Sequence, residues 1–241
     1  GGASQVTGQL PESMSPSGPT QLSRRLMDIV ALVPPCPRVL DIGSDHGHVT
    51  SWLLENGVAQ TAVATDIHAD PAEITRRYLR RQGTIDRATV IHTDGLHGIT
   101  LAEGDVVILS GLGGLEMIRI LSEALDGHGG AFPAKIRFIL QPQRSAEELR
   151  IFLNRSGFVF EKEKISIDRD KYYCILALAW NGSTPAEFSL GERVMGPCIL
   201  RDKPDGFTRY LTHQKNVLKK HMRARPELSE VIHEIDLLLQ I

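Results

Sequence analysis

The chain has 241 residues, of which 41% are hydrophobic and 23% are charged, and its formal net charge at pH 7 is −2. This size and composition fit one sizeable α/β domain plus an appendage, and the small net charge gives no sign of a nucleic-acid partner. No apolar run approaches the length of a membrane span, so a membrane-spanning protein is excluded at this level.

The first segment, residues 1–19, is rich in Gly, Ser, Pro and Gln and is predicted to be a disordered tail. It has neither the apolar core of a secretory signal nor an arginine before Arg24, which favours a cytoplasmic location. A helix is predicted from about Thr20, as its cap, to about Leu32, because prolines at 34, 35 and 37 end it.

An alternation of strands and helices follows. Most of the strands are too apolar to have one wet face, which predicts a parallel sheet covered by helices on both sides. The predicted strands are 38–43, 61–67, 88–94, 105–111 and 135–141. The predicted helices are 48–56, 71–82, 115–125 and 146–156.

The pattern changes at residues 158–167 and 171–180, two consecutive strands joined by a short polar turn, which predict an antiparallel hairpin. Such a hairpin closing a parallel sheet is unusual for a dehydrogenase and habitual in S-adenosyl-L-methionine (AdoMet)-dependent methyltransferases. We therefore predict a Rossmann-like α/β fold with a mostly parallel seven-stranded sheet and a terminal antiparallel hairpin. It occupies residues 20–183, and a small helical domain follows at 184–241.

Within this last segment, a loop from Thr184 is predicted to lead into a helix at about 207–224. Pro226 interrupts the pattern, and a second helix continues to the end of the chain.

The turn after the first strand is the most informative motif. A dinucleotide phosphate loop has Gly-x-Gly-x-x-Gly, but here Asp45 stands at the second glycine position. A carboxylate repels pyrophosphate and suits AdoMet, which carries a cationic amino group and a sulfonium. The alternative is a plain strand-to-helix turn with a surface aspartate. The predicted cofactor contacts in this turn are Asp41, Gly43, Ser44, His46 and Gly47.

Two further carboxylates follow the next strand ends. Asp66, with Ile67 beside it, comes after the second strand, where a carboxylate can accept hydrogen bonds from both ribose hydroxyls. Asp94, followed by Gly95, comes after the third strand, where it can accept from the adenine amino group. The alternatives are a helix cap for Asp66 and an ordinary Asp-Gly turn for Asp94.

The fourth strand ends in a run of glycines. Methyltransferases that act on exocyclic amines usually carry Asn or Asp, two prolines and an aromatic residue here, and this chain has none of them. Gly111 is predicted to approach the cofactor, and Leu112, Gly113 and Gly114 the target base, although a flexible loop is the alternative. Gln141, at the end of the fifth strand, is predicted to bind a base edge.

Basic residues fall into three groups, on the first helix, on the second crossover helix and on the C-terminal helix. The C-terminal group has no acid between Phe207 and Arg225, which favours contact with a phosphate backbone over a merely solvated face. The predicted RNA contacts are Arg24, Arg25, Lys215, Lys219, Lys220 and Arg223.

Metal and disulfide chemistry are not expected. The three cysteines are far apart and odd in number, which disfavours a disulfide framework and favours a reducing compartment. His46 and His48 lie close together, but no carboxylate or thiol cluster completes a metal site around them.

Several motifs occur in an order that resembles the bacterial tRNA (adenine-22-N1)-methyltransferase family, over roughly residues 20 to 225. The more specific ones are Gly-Ser-Asp-His at 43–46 and Gly-Leu-Gly-Gly at 111–114. The others are Leu-Ser-Arg-Arg-Leu at 22–26, Asp-Gly-Leu at 94–96, Leu-Gln-Pro-Gln at 140–143, Gly-Phe at 157, Tyr-Tyr at 172 and Met-Gly-Pro at 195.

The resemblance implies AdoMet as the cofactor, tRNA as the partner, and Asp45 as the acidic residue beside the methyl-transfer centre. We also expect a monomer. Asp66 stands where the family more often has Glu, Gly47 where it more often has Ala, and the C-terminal helices are shorter than the family's coiled-coil hairpin. Three alternatives stay open: a protein or small-molecule methyltransferase, a nucleotide-dependent oxidoreductase, and a catalytically silent RNA-binding relative.

Overall fold

The computed structural model describes residues 18–44 and 46–240. In this part of the chain the strands form one seven-stranded sheet of order β3-β2-β1-β4-β5-β7-β6. Strands β1 to β5 are parallel, and β7 runs antiparallel to both β5 and β6, as predicted. The strands are β1 Cys36–Ile42, β2 Ala59–Asp66, β3 Ala88–His92, β4 Val106–Leu112, β5 Arg137–Pro142, β6 Phe158–Asp168 and β7 Lys171–Trp180.

Helices cover both faces of the sheet. One hydrophobic cluster joins α1 and α2 to the sheet, and a second joins α4, α5 and the C-terminal helices to its other face. This two-sided burial explains the continuous apolar runs in the central strands. The helices are α1 Arg24–Val30, α2 His48–Glu55, α3 Ala69–Gln82, α4 Gly114–Gly127, α5 Ala146–Arg155, α6 Leu190–Met195, α7 Pro197–Asp202, α8 Phe207–His221 and α9 Leu228–Leu239.

The predicted start of the first helix was wrong. Ser23 is the N-cap of α1, and its side chain accepts a hydrogen bond from the backbone N–H of Leu26 at 3.4 Å. Thr20 is buried instead, and its hydroxyl bonds the Glu55 carboxylate and the Tyr78 hydroxyl. Thr20 therefore fastens the segment before α1 to α2 and α3.

The segment predicted as a loop after residue 184 contains two short helices, α6 and α7. Ser189 and Glu192 form a reciprocal capping box at the start of α6, and Pro197 occupies the first turn of α7. Both are sequence signals for a helix start, and they would have identified these helices.

The C-terminal helices are joined to the sheet by a buried ion pair. The Arg150 guanidinium, on α5, lies 2.9 Å from the Glu163 carboxylate, on β6, and both side chains are fully buried. Arg150 also donates to the carbonyl oxygens of Arg193 and Val194, and Glu163 accepts from the backbone N–H of Cys198 at 2.8 Å. One hydrophobic cluster spans the sheet and α6 to α9. This cluster crosses the domain boundary predicted at residue 184, and that boundary stays a prediction.

Of the predicted disordered tail, residues 1–17 lie outside the described part of the chain. Gly18 and Pro19 are described, and the Gly18 carbonyl accepts a hydrogen bond from the Gln82 amide at 3.1 Å. Among the helices formed by the described residues, none has the length and apolar character needed to cross a membrane.

Candidate functional site

The site is built from strand ends that meet at one edge of the sheet. The backbone N–H groups of Gly43 and Ser44 donate to the Thr65 carbonyl at 3.1 and 2.9 Å, which joins the turn after β1 to the end of β2. The N–H of Thr93 donates to the Asp66 carbonyl at 2.9 Å, which joins β2 to the segment after β3. The predicted cofactor residues of these three segments therefore lie side by side, where α/β folds bind ligands.

The turn between β1 and α2 has two consecutive left-handed residues, His46 (φ 59°) and Gly47 (φ 77°). A Cβ on Gly47 would lie 2.9 Å from Cγ2 of Thr75, so glycine is needed both for the backbone and for the packing of α2 on α3. The buried Asp41 carboxylate accepts from the Thr50 hydroxyl at 2.9 Å and holds the strand end to α2. Asp45 itself lies outside the described residues.

Asp66 lies at the end of β2 with a half-buried side chain. Its Oδ1 accepts from the backbone N–H of His68 at 2.9 Å, and the structure records no partner for Oδ2 among the described residues. Ile67, beside it, is 51% exposed, an unusual position for a large apolar side chain. The available carboxylate oxygen can accept hydrogen bonds from sugar hydroxyls. The exposed apolar surface beside it can pack against a base.

Asp94 is held by a residue that the sequence did not suggest. One guanidinium nitrogen of Arg119, on α4, lies 2.8 Å from Asp94 Oδ1, and Arg119 also pairs with Glu116 and Glu123. Hydrogen bonds from the guanidinium to the carboxylates of Glu116 and Asp94 raise the pKa of Arg119. The Asp94 carboxylate is thus oriented by a cation, and no spacing rule connects residues 94 and 119.

Gln141 connects two segments at the edge rather than facing an open space. Its side chain is fully buried, and its Oε1 accepts from Arg25, on α1, at 2.7 Å and from the backbone N–H of Gly111 at 3.1 Å. The predicted role of Gln141 in binding a base edge is untested. These contacts make it a link between α1 and the end of β4.

The glycines at the end of β4 and at the start of α4 are needed for different reasons. Gly111 has a positive φ of 71°, and its position is a register shift in the pairing of β4 with β5. A Cβ on Gly114 would lie 2.4 Å from the Ser145 carbonyl oxygen, so glycine there permits the approach of two backbone segments. Gly113 joins β4 to α4, and the side chain of Leu112, the last residue of β4, lies 3.8 Å from where a Cβ on Gly43 would be.

The basic residues predicted to contact RNA are not equivalent. Lys215 lies 2.5 Å from Asp236 of α9, so its charge is already paired. Arg24 is 71% exposed and lies 3.4 Å from Asp28. Lys219, Lys220 and Arg223 are exposed, and no ion pair is recorded for them within residues 46–240. Within the described part of the chain, these three residues of the C-terminal group therefore carry positive charge that no carboxylate pairs.

The cysteines do not provide a nucleophile. Burial raises the pKa of Cys36 to about 11 and that of Cys198 to about 12, and it also raises the pKa of Cys174. All three thiols are buried and protonated at neutral pH, and a thiol is a poor nucleophile compared with a thiolate. In the part of the chain that the structure describes, no group of side chains could hold a metal ion.

The fold and this edge define a class of protein. A mostly parallel sheet that ends in an antiparallel hairpin, with carboxylates after successive strands, is the Rossmann-like arrangement of class I methyltransferases. A family profile described as a methyltransferase domain matches residues 22–176. The chain belongs to this methyltransferase domain family.

Individual relatives cover almost the whole chain. It is 27% identical over 235 residues to the tRNA (adenine(22)-N(1))-methyltransferase of Bacillus subtilis (strain 168), covering 92% of this chain and 97% of that protein. A Streptococcus pneumoniae protein assigned as a tRNA (m1A22) methyltransferase, in complex with S-adenosyl-L-methionine, superimposes with a TM-score of 0.77 at 26% identity. That superposition covers 91% of this chain and 100% of the other.

A third similar structure is a protein in the NADB-Rossmann superfamily from Streptococcus agalactiae. It has a TM-score of 0.76 at 25% identity, over 91% of this chain and 97% of that chain. The similarity therefore includes the C-terminal helices and is not confined to the Rossmann-like part.

Proposed function

We propose that the chain is a tRNA (adenine-N1)-methyltransferase that uses AdoMet and modifies adenine 22. The observation that carries the proposal is the alignment with the Bacillus subtilis enzyme, which covers 97% of that protein and so includes its C-terminal part. Lys219, Lys220 and Arg223 are exposed and have no ion-pair partner among the described residues, which supports an anionic substrate. We further propose that the enzyme is cytoplasmic and monomeric and that the reaction needs no metal.

The residues at the sheet edge fit AdoMet. Asp66 offers a carboxylate oxygen for the ribose hydroxyls, and the exposed Ile67 offers an apolar surface for the adenine ring. Asp94, oriented by Arg119, can accept from the adenine amino group through its second oxygen. Gly43, Ser44 and Gly47 shape the turn that would lie beside the amino acid part.

Methyl transfer to adenine N1 depends on the placement of the two reactants more than on proton transfer. AdoMet supplies, when bound, an electrophilic methyl group on a sulfonium. The in-plane lone pair of adenine N1 forms the new bond to the methyl carbon while the carbon–sulfur bond breaks, and the base becomes cationic. No base is needed before attack, so the protein's tasks are alignment and stabilisation of the developing positive charge. We assign the second task to the Asp45 carboxylate.

Methylation of unmodified tRNA transcripts with labelled AdoMet tests the proposal. We expect label in transcripts with adenine at position 22 and mapping of the product to N1 of that base. A transcript with guanine at this position is the matched control and should take up no label. Label in a protein fraction but in no tRNA would support the alternative of a protein methyltransferase and contradict the proposal.

Asp66→Asn is expected to weaken AdoMet binding while leaving the fold intact. Hydrogen bonds to a charged group contribute about 1.5–3 kcal/mol each, so losing their charged character should raise the dissociation constant roughly tenfold or more. Calorimetry with AdoMet measures this, with NAD run in parallel against the oxidoreductase alternative. Asp70→Asn, in the exposed first turn of α3, is the control. Equal AdoMet affinities for the two variants would remove Asp66 from the site.

A further inference from the structure

The hairpin of β6 and β7 projects beyond the edge of the sheet that carries the site. The last recorded pair between β5 and β7 is Leu140 with Leu176, whereas β7 begins at Lys171. The residues from Lys171 to Ile175 therefore continue past the end of that pairing by about 17 Å, at roughly 3.4 Å per residue. The tip of the hairpin stands on the same side of the molecule as the cofactor edge.

Helix α1 is fixed between this hairpin and the site. The buried Asp28 carboxylate accepts from the Ser166 hydroxyl, on β6, at 2.7 Å and pairs with Lys164 at 3.1 Å. On its other side, α1 bonds Gln141 through Arg25, and Gln141 also accepts from the Gly111 N–H. A ligand that contacts both α1 and the hairpin therefore touches elements linked by hydrogen bonds to the end of β4.

An open groove of about 520 Å³ lies between α1 and the hairpin tip. Ser23 and Arg24 line one side of it, and Asp168, Arg169, Asp170, Lys171 and Tyr173 line the other. Its volume is in the range of pockets that hold small ligands. Arg169 and Lys171 are exposed, and no ion pair is recorded for either among the described residues.

The chemistry of the lining favours a ribonucleotide. Three cations can meet a phosphate, and the ring of Tyr173 can stack on a base. The Asp168 and Asp170 carboxylates would repel a second phosphate, but they can accept from a base amino group or a ribose 2′-hydroxyl. A lining that carries positive charges, negative charges and an aromatic ring thus fits one nucleotide better than a continuous phosphate backbone.

We propose that this groove, the α1–hairpin groove, binds a nucleotide of the RNA substrate that lies near the target adenine. The proposal rests on the proposed function, since it takes RNA as the substrate. Engagement of the groove holds α1 against the site through Arg24 and its neighbour Arg25, and it adds affinity that the C-terminal helices alone do not supply.

The test compares two double variants with the same change of charge. The variant Arg169→Glu with Lys171→Glu reverses the charge of two cations in the groove. The control variant, Lys135→Glu with Lys162→Glu, reverses the charge of two exposed lysines away from the tip. Binding of a tRNA transcript is measured by fluorescence anisotropy at several salt concentrations, AdoMet binding by calorimetry, and folding by thermal melting. The groove variant should bind tRNA at least tenfold more weakly, and its salt slope should fall by about 1, for the one phosphate contact that is lost.

The control variant should bind tRNA like the unmodified protein, and AdoMet affinity should be unchanged in both. Tyr173→Leu keeps the charge and should weaken tRNA binding roughly fivefold or more if the ring stacks on a base. If the groove variants bind tRNA like the control variant while the unmodified protein still methylates tRNA, the groove proposal is wrong and the proposed function stands. If the unmodified protein neither methylates nor binds tRNA, the proposed function and the RNA occupant of the groove both fail.

Discussion

Asp45→Asn is expected to lower the turnover number of tRNA methylation by about a hundredfold, the usual cost of removing one group that stabilises transition-state charge. The reason is that the adenine becomes cationic as its N1 bonds to the methyl group, and the neutral amide of asparagine stabilises that charge less than a carboxylate does. Single-turnover methylation of a tRNA transcript at saturating AdoMet measures the chemical step.

The same variant should bind AdoMet with nearly unchanged affinity in calorimetry. This separates a role in methyl transfer from a role in holding the cofactor. Asp70→Asn serves again as the control for removing one acidic charge near this edge. An Asp45→Asn enzyme with full turnover would remove the assignment, and a parallel loss of AdoMet affinity would make Asp45 a cofactor ligand instead.

Arg150→Met should lower the free energy of unfolding by about 3–5 kcal/mol, because it leaves the buried Glu163 carboxylate without its cation. Both side chains are fully buried, and Arg150 also donates to two carbonyl oxygens in the last turn of α6. Urea unfolding measures the change, and thermal melting should show a drop on the order of 10 °C for a chain of this size.

Arg155→Met is the matched control, since it removes an arginine from the same helix. The partner of Arg155 is Glu187, and the two side chains are 63% and 75% exposed. Exposed pairs contribute about 0–1 kcal/mol, so this variant should melt close to the unmodified protein. Arg150→Met with Glu163→Leu should recover part of the loss, because two apolar side chains leave no unpaired charge. Equal melting of the Arg150 and Arg155 variants would contradict the structural role of the buried pair.

The order of elements could be read from the chain because it depends on local patterns. Apolar runs of strand length, helical periodicity and glycines after helices are properties of short segments, and they predicted all seven strands to within a few residues. Gly57 and Gly157, two residues beyond the ends of α2 and α5, adopt positive φ values of 67° and 86°, as glycines after helices often do. The two short helices α6 and α7 have six residues each, too few for a periodic pattern, so only their capping signals mark them in the sequence.

The site was predictable in outline for the same reason. Parallel strands end at one edge, so residues that follow them, such as Gly43, Asp66 and Asp94, had to come together once the sheet was recognised. Positions in the chain therefore determined which segments form the site.

Only the tertiary structure decided what those side chains do there. Arg119 orients Asp94, Gln141 joins Arg25 to the end of β4, and Lys215 is paired with Asp236. Each of these contacts joins residues at least 21 positions apart, and the one between Arg25 and Gln141 joins residues 116 positions apart. Such partners depend on how helices and strands pack in three dimensions, whereas sequence patterns report only the neighbours along the chain.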